Sequence, residues 1–205
     1  MSKAKPKAKT VEDLMKKTLF TKDAIECLLK MFKKYTSKNK KVDKSKFQDM
    51  LYAEFAFTHD LLMERIFTAF DSDGDGFIDE EEWVIGFNIY LANGIDEKKM
   101  KFAFRVYDLK NEGVFTRESM YYFLKDCFYK AVIEEDPDEA PKDLVEMMMK
   151  MMDKGKVQKV SYEDFESAVK KESLLLEFLG YFFPEKKYAD KFCTLIGGGK
   201  NPWRI

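Results

Sequence analysis

Twelve consecutive residues, Asp71 to Glu82, read Asp-Ser-Asp-Gly-Asp-Gly-Phe-Ile-Asp-Glu-Glu-Glu and leave little freedom in what surrounds them. Carboxylates stand at positions one, three and five (Asp71, Asp73, Asp75), and Phe77 at position seven offers its backbone carbonyl. Asp79 at position nine is placed to hold a water, and Glu82 at position twelve to close a coordination shell with both oxygens. Hard cations of the size of calcium take this kind of all-oxygen shell. Gly76 at position six supplies the sharp turn, because glycine adopts positive φ without steric cost. A solvated acidic turn would need only some of these residues and no fixed order. The flanks agree with a helix on either side: Leu62, Ile66, Phe67 and Phe70 recur at helical spacing before the loop, and Trp83, Phe87 and Leu91 after it, with Thr58 as the expected N-cap.

A helix, a twelve-residue calcium loop and a helix make an EF-hand, and the chain carries three more units of that shape. Ile25, Leu28, Leu29 and Phe32 lead into a loop from Tyr35 to Lys46, followed by Phe47, Leu51 and Phe55. Its ligand positions hold Tyr35, Ser37, Asn39 and Lys46, so it cannot bind calcium. It starts 36 residues before Asp71, a spacing suited to two units paired side by side. The third loop, Asp108 to Ser119, keeps Gly113 and the apolar Phe115 but has Lys110 at position three and Ser119 at twelve. The fourth, Asp153 to Asp164, keeps Val160, Ser161 and Asp164 but has Gly155, Val157 and Gln158 at positions three, five and six. The pattern predicts an all-α fold of four helix-loop-helix units in two paired lobes with short two-stranded loop contacts, and one competent calcium site with magnesium as a possible competitor.

The expected divisions are a basic disordered tail over 1–17, an N-terminal EF-hand pair over 18–93, a C-terminal pair over 94–183 and a tail over 184–205. Lys3, Lys5, Lys7 and Lys9 make the first segment too polar to bury. Tyr121 to Val132 reads as an aromatic helix and Glu134 to Pro141 as an acidic loop. Helical periodicity resumes at Leu144 through the methionines to Met152, and Phe165 to Phe182 reads as a final apolar helix. Methionine clusters fill cores or line adaptable grooves. The last segment, with Phe192, Leu195, Ile196 and Trp203, suits either folding back or docking to a partner.

Net charge is −1 from 36 basic and 37 acidic residues, so no global field draws the chain to nucleic acid or membrane. Cys27, Cys127 and Cys193 are dispersed and His59 is the sole histidine, which argues for reduced thiols in the cytoplasm and against a zinc site. No apolar run is long enough to span a bilayer, and Ser2 stands where N-myristoylation wants glycine, so no membrane anchor is expected. There is no nucleophile elbow or phosphate loop, and His59 reads as a surface residue; an enzyme is not expected.

Several strings are more particular than an EF-hand consensus: Phe20-Thr21-Lys22-Asp23-Ala24-Ile25-Glu26-Cys27-Leu28-Leu29, Phe67-Thr68-Ala69-Phe70-Asp71, Glu135-Asp136-Pro137-Asp138-Glu139, Lys142-Asp143-Leu144-Val145-Glu146 and Glu172-Ser173-Leu174-Leu175-Leu176-Glu177. On these, residues 18–184 resemble the calaxin family of ciliary and flagellar EF-hand proteins, within the wider neuronal-calcium-sensor-like group. The resemblance implies calcium-dependent association with outer-arm dynein or its docking complex on the doublet microtubules of the axoneme. The chain departs from the family pattern at Lys110, Ser119, Gly155, Val157 and Gln158. The expected role is a calcium-binding adaptor, with the basic N-terminal arm a candidate contact to tubulin. A constitutive structural axonemal subunit is one alternative; a cytosolic sensor subunit regulating a kinase, phosphatase or channel is another.

Overall fold

The computed structural model describes residues 11–36, 39–125, 139–155 and 157–204. They fall into two compact units, one made of the chain to Asn93 together with Phe183 onward, the other of Gly94–Phe182. Each is a pair of helix-loop-helix units, as the all-α expectation required.

In the first unit, α2 (Lys22–Tyr35) and α3 (Lys44–Phe55) flank the first loop, and α4 (Asp60–Phe70) and α5 (Glu80–Tyr90) flank the second. Thr21 starts α2 by accepting the Ala24 amide. Asp43 starts α3 by accepting the Lys46 amide. The two loops meet at their eighth residues, where Val42 and Ile78 exchange both backbone hydrogen bonds at 2.9 Å. Behind this bridge sits an aromatic core. Trp83 is fully buried, with ring centroids of Phe87 at 4.9 Å, Phe32 at 5.7 Å and Phe47 at 6.2 Å, and its indole N–H donates to the Leu28 carbonyl at 3.1 Å.

Gly86, in the middle of α5, is there because Phe70 leaves no space for a side chain: a Cβ would stand 2.2 Å from the Phe70 ring. That ring is hemmed in by Phe47 at 4.8 Å and Phe87 at 5.3 Å, so it cannot swing away. Gly86→Ala is therefore expected to destabilise the metal-free protein by about 1–3 kcal/mol through overpacking, despite alanine's better helix propensity. Urea unfolding followed by circular dichroism measures it; an unchanged midpoint would show that the α4–α5 contact is loose.

Two expectations are corrected in this unit, and of the two courses open to the C-terminal segment it takes the folding back. Val11–Lys17, taken as disordered, forms α1, because Leu14 gives it an apolar anchor that is almost completely buried, and α1 packs on α2 and α5. The Arg204 guanidinium donates to the carbonyls of Met15 and Thr18, satisfying groups that the end of a short helix leaves open. The lysines at 3–9 lie outside the described residues. The N-cap of α4 is His59 and not Thr58: its Nδ1 accepts the Leu62 amide at 3.4 Å. The C-terminal segment does not stand apart from the pair. It forms α10 (Lys186–Ile196) and folds back on α2 and α3, with the Phe192 ring 5.0 Å from both Phe55 and Phe87. Trp203 then stacks on Phe20 at 4.5 Å while their backbones form a bridge.

The second unit repeats the pattern with α6 (Glu97–Tyr107), β1 (Val114–Thr116), α7 (Arg117–Leu124), α8 (Glu139–Met152), β2 (Lys159–Ser161) and α9 (Tyr162–Lys171). Strands β1 and β2 are antiparallel, with Phe115 opposite Val160, again the eighth residue of each loop. Tyr107 is fully buried, and its hydroxyl donates to the Leu176 carbonyl at 3.1 Å.

Here too the boundaries differ. Helix α7 ends at Leu124, and most of the expected aromatic helix to Val132 lies outside the described residues, as do Cys127 and the acidic stretch up to Asp138. Helix α8 begins at Glu139 rather than Leu144, with Pro141 in its first turn, where a missing N–H costs nothing. Of its methionines, Met149 and Met152 are core, whereas Met147 and Met151 are about half exposed. The expected single helix from Phe165 to Phe182 is broken. Glu172 takes an extended conformation (φ −136°, ψ 100°) and its carboxylate accepts the Leu174 amide at 3.2 Å, which restarts the chain as a 3₁₀ turn over Ser173–Glu177. The break leaves Leu174 and Tyr181 exposed.

Candidate metal centre

The second loop runs from the C-terminus of α4 into the N-terminus of α5, and each of its sequence-predicted residues has a definite place. One carboxylate oxygen each from Asp71, Asp73 and Glu82 lies within 4.8 Å of the others. Asp71 and Glu82 are buried, whereas Asp73 is exposed. Asp71 accepts the amides of Asp75 at 3.1 Å and Gly76 at 2.9 Å, and Gly76 has φ 82°. Glu82 reaches back across the loop: its Oε1 accepts the amides of Ser72 at 2.7 Å and Asp73 at 3.1 Å, and its Oε2 that of Asp79 at 3.0 Å. Burial pushes the Asp71 and Glu82 carboxyls up, and these backbone N–H groups only partly offset it. Such a cluster of crowded carboxylates, with oxygens converging on one point, fits the hard-oxygen shell of a divalent cation, which would relieve the mutual repulsion.

Asp75 and Asp79 are occupied differently. Oδ1 of Asp79 accepts the amides of Glu81 and Glu82, both at 2.9 Å, so this residue is the N-cap of α5 and forms a capping box with Glu82. Asp75 accepts the Phe77 amide through Oδ1 at 3.0 Å and pairs through Oδ2 with the Lys41 ammonium, which comes from position seven of the first loop. The hydrogen bond to Asp75 holds the Lys41 ammonium above the usual lysine range, with Asp73 and Asp79 adding to the effect. Phe77 contributes only backbone; its amide is the one bound by Asp75.

The third and fourth loops keep this frame but lack some of the ligands. In the third, Asp108 accepts the amides of Glu112 at 3.0 Å and Gly113 at 2.7 Å; in the fourth, Asp153 accepts those of Val157 at 3.0 Å and Gln158 at 2.8 Å. Position one thus shapes the turn in each of these loops. Gln158, in the glycine place, takes φ 65°, a conformation that costs a non-glycine residue about 1 kcal/mol or more. Position nine caps the following helix in every loop, through Asp43, Asp79, Thr116 and Ser161. The difference is at position twelve. The Ser119 hydroxyl turns back to the Thr116 amide and carbonyl, both at 2.8 Å, and Asp164 to Ser161, whereas Glu82 makes the same return to the Asp79 amide and, with its other oxygen, also crosses the loop. Of the four loops, the second gathers three acidic side chains around one point among the described residues.

Lys41 is the residue that reasoning from ligand positions passes over, because its own loop has Tyr35 and Lys46 at positions one and twelve. The signal was present: pairing of the eighth residues carries the seventh residue of one loop toward its neighbour.

Two helix-loop-helix units joined through the eighth residues of their loops define an EF-hand protein. An EF-hand domain pair is recognised over residues 97–170, which hold the third and fourth loops. The calaxin of Xenopus laevis is 40% identical over 174 residues, covering 82% of this chain and 83% of its own length. That of Danio rerio is 39% identical over 174 residues, 82% of each, and that of Homo sapiens 37% over 179 residues, 84% of each. The chain belongs to the calaxin family, and is accordingly a calcium-binding regulatory protein of the EF-hand class. No helix among the described residues is long and apolar enough to cross a membrane.

Proposed function

We propose that this protein is a calcium-binding adaptor of the ciliary or flagellar axoneme that associates with outer-arm dynein or its docking complex, and that calcium acts through one site, the Asp71–Glu82 loop. The observation that carries the single site is the convergence of Asp71, Asp73 and Glu82 on one point, against the inward-folded Ser119 and Asp164 of the later loops. Asp75, the Phe77 carbonyl and a water on Asp79 complete the proposed shell, in which magnesium competes. The family supports the axonemal assignment.

Asp71 ends α4 and Glu82 lies in the first turn of α5, so drawing the two carboxylates onto a shared cation turns one helix against the other. Helix α5 also carries Phe87, which rests on Phe192 of α10, so the turn reaches the surface covered by the C-terminal segment. A ligand at about a hundred times its dissociation constant supplies roughly 2.7 kcal/mol, enough to bias such a lobe in a graded way. The lysines at 3–9 supply a second contact, to acidic tubulin tails.

Calorimetric calcium titration, together with capture of outer-arm dynein and docking-complex chains from axonemal extract in calcium and in chelator, tests this. One calcium per chain and calcium-sensitive capture are expected. Two or more calcium ions would overturn the single site. Capture indifferent to calcium would make the protein a constitutive structural subunit.

A further inference from the structure

We propose that Lys41, carried by the first loop, is a built-in counter-cation for the second loop, competing for Asp75 and thereby setting the calcium threshold of the Asp71–Glu82 site. This rests on the reading of that loop as a calcium site.

The geometry that delivers the ammonium is fixed by backbone. Val42, the next residue, is locked to Ile78 by two hydrogen bonds of 2.9 Å, and Ile78 lies three residues from Asp75. On the other side, Lys40 has φ 60° and the Lys41 amide donates to the Asn39 side chain at 3.2 Å, so the approach of residue 41 is set by a turn and a bridge. The ammonium pairs with Asp75 Oδ2 while Oδ1 accepts the Phe77 amide. Both oxygens of a proposed ligand therefore have a partner within the protein itself. A cation entering the loop must take an oxygen from Lys41 and then tolerate the displaced ammonium nearby. In a loop with five carboxylates at its ligand positions, that ammonium also offsets the repulsion that would otherwise raise the free energy of the metal-free state. Both effects weaken calcium binding. The first loop, having lost its own ligands, thus acts on the second in two ways: Val42 supplies a backbone partner and Lys41 a charge.

The pair is partly solvated, with side-chain exposures of 30% for Lys41 and 39% for Asp75. Partly solvated pairs have modest effects, so the expected change is several-fold rather than many decades.

The test is calcium affinity by chelator competition for the full-length wild type, Lys41→Gln, Lys41→Arg and Lys44→Gln, at about 0.05 and 0.5 M salt. Lys44 makes a control of equal charge change, since it pairs with Glu64 on α4 instead. Lys41→Gln is expected to bind calcium about three- to tenfold more tightly at low salt, with the gain shrinking at high salt as screening sets in. Lys41→Arg and Lys44→Gln should stay within about twofold of wild type. A second readout needs no affinity measurement: the rise in melting temperature on adding calcium should be larger for Lys41→Gln than for wild type, because its metal-free state has lost a counter-charge. Equal affinity for wild type and Lys41→Gln, with one calcium still bound, overturns the counter-cation while leaving the site intact. A gain as large for Lys44→Gln as for Lys41→Gln also overturns it, reducing the effect to net charge. No calcium binding by wild type or any variant takes down both the site and the proposal.

Discussion

Glu82→Gln is expected to weaken calcium binding by roughly a hundredfold or more, enough to remove the site at physiological calcium. The substitution is nearly isosteric but removes a full charge and one of the two oxygens proposed to close the shell. Calcium is held by charge and oxygen count, and loss of a bidentate carboxylate exceeds the roughly 10–100-fold cost of disturbing a partner behind the ligands. The metal-free fold should survive. A glutamine oxygen can still accept the Ser72 and Asp73 amides that Glu82 Oε1 takes, and the Asp79 side chain still caps α5, but the glutamine NH2 cannot accept the Asp79 amide that Oε2 holds, so one half of the capping box is lost at a cost of about 1 kcal/mol. Burial already disfavours the ionised Glu82, so a neutral group is tolerated in the absence of metal. Calorimetry is expected to show no calcium heat at micromolar protein, with a melting temperature in chelator lowered by only about 2–4 °C through the lost half of the capping box. A remaining calcium of near wild-type affinity would place the metal elsewhere. A collapse of the melting temperature in chelator would mean that Glu82 is primarily a folding residue.

Trp83→Ala is expected to cost about 3–5 kcal/mol, the largest stability loss from a single side chain in the first unit. The indole is fully buried, meets Phe32, Tyr35, Phe47 and Phe87, and so joins α2, α3 and α5 in one contact set. Its removal opens a cavity that helices pinned by the Val42–Ile78 bridge cannot fully close. Trp83→Phe should cost less, about 1–2 kcal/mol, since it keeps most of the packing and loses chiefly the hydrogen bond to the Leu28 carbonyl. Urea unfolding by circular dichroism, with Trp203 as a separate fluorescent reporter, distinguishes the two substitutions. A loss below about 1 kcal/mol for Trp83→Ala would show that the aromatic core is redundant.

Much of this was legible without coordinates, for physical reasons that differ from place to place. A calcium loop is short and local: glycine at position six, oxygens at fixed steps and an apolar residue at eight are demanded by one turn of backbone. Spacing alone therefore identified four loops and set the Asp71 loop apart from the other three. A short two-stranded contact within each pair followed from the repeat, and the structure places it at Val42–Ile78 and at Phe115–Val160. Helix ends were read less well. Nothing in the periodicity of residues 165–182 announced that Glu172 would turn its carboxylate onto the Leu174 amide and break the helix. His59 rather than Thr58 caps α4, a choice between adjacent residues that local sequence does not make.

What residue order determined, then, was the chemistry available at each loop and the frame that carries it, because both depend on neighbours along the chain. Tertiary structure decided what comes near that chemistry from far away. Leu14 turned a lysine-rich segment into a docked helix once Arg204 could reach its last carbonyls from the other end of the chain. Phe192 found its place against Phe55 and Phe87 because the first unit offered an apolar face, a property of three helices together and of none alone. Lys41 reached Asp75 because two loops meet at one bridge. Long-range contacts of this kind depend on where burial and charge are satisfied in space, and a linear pattern of ligands carries no record of that.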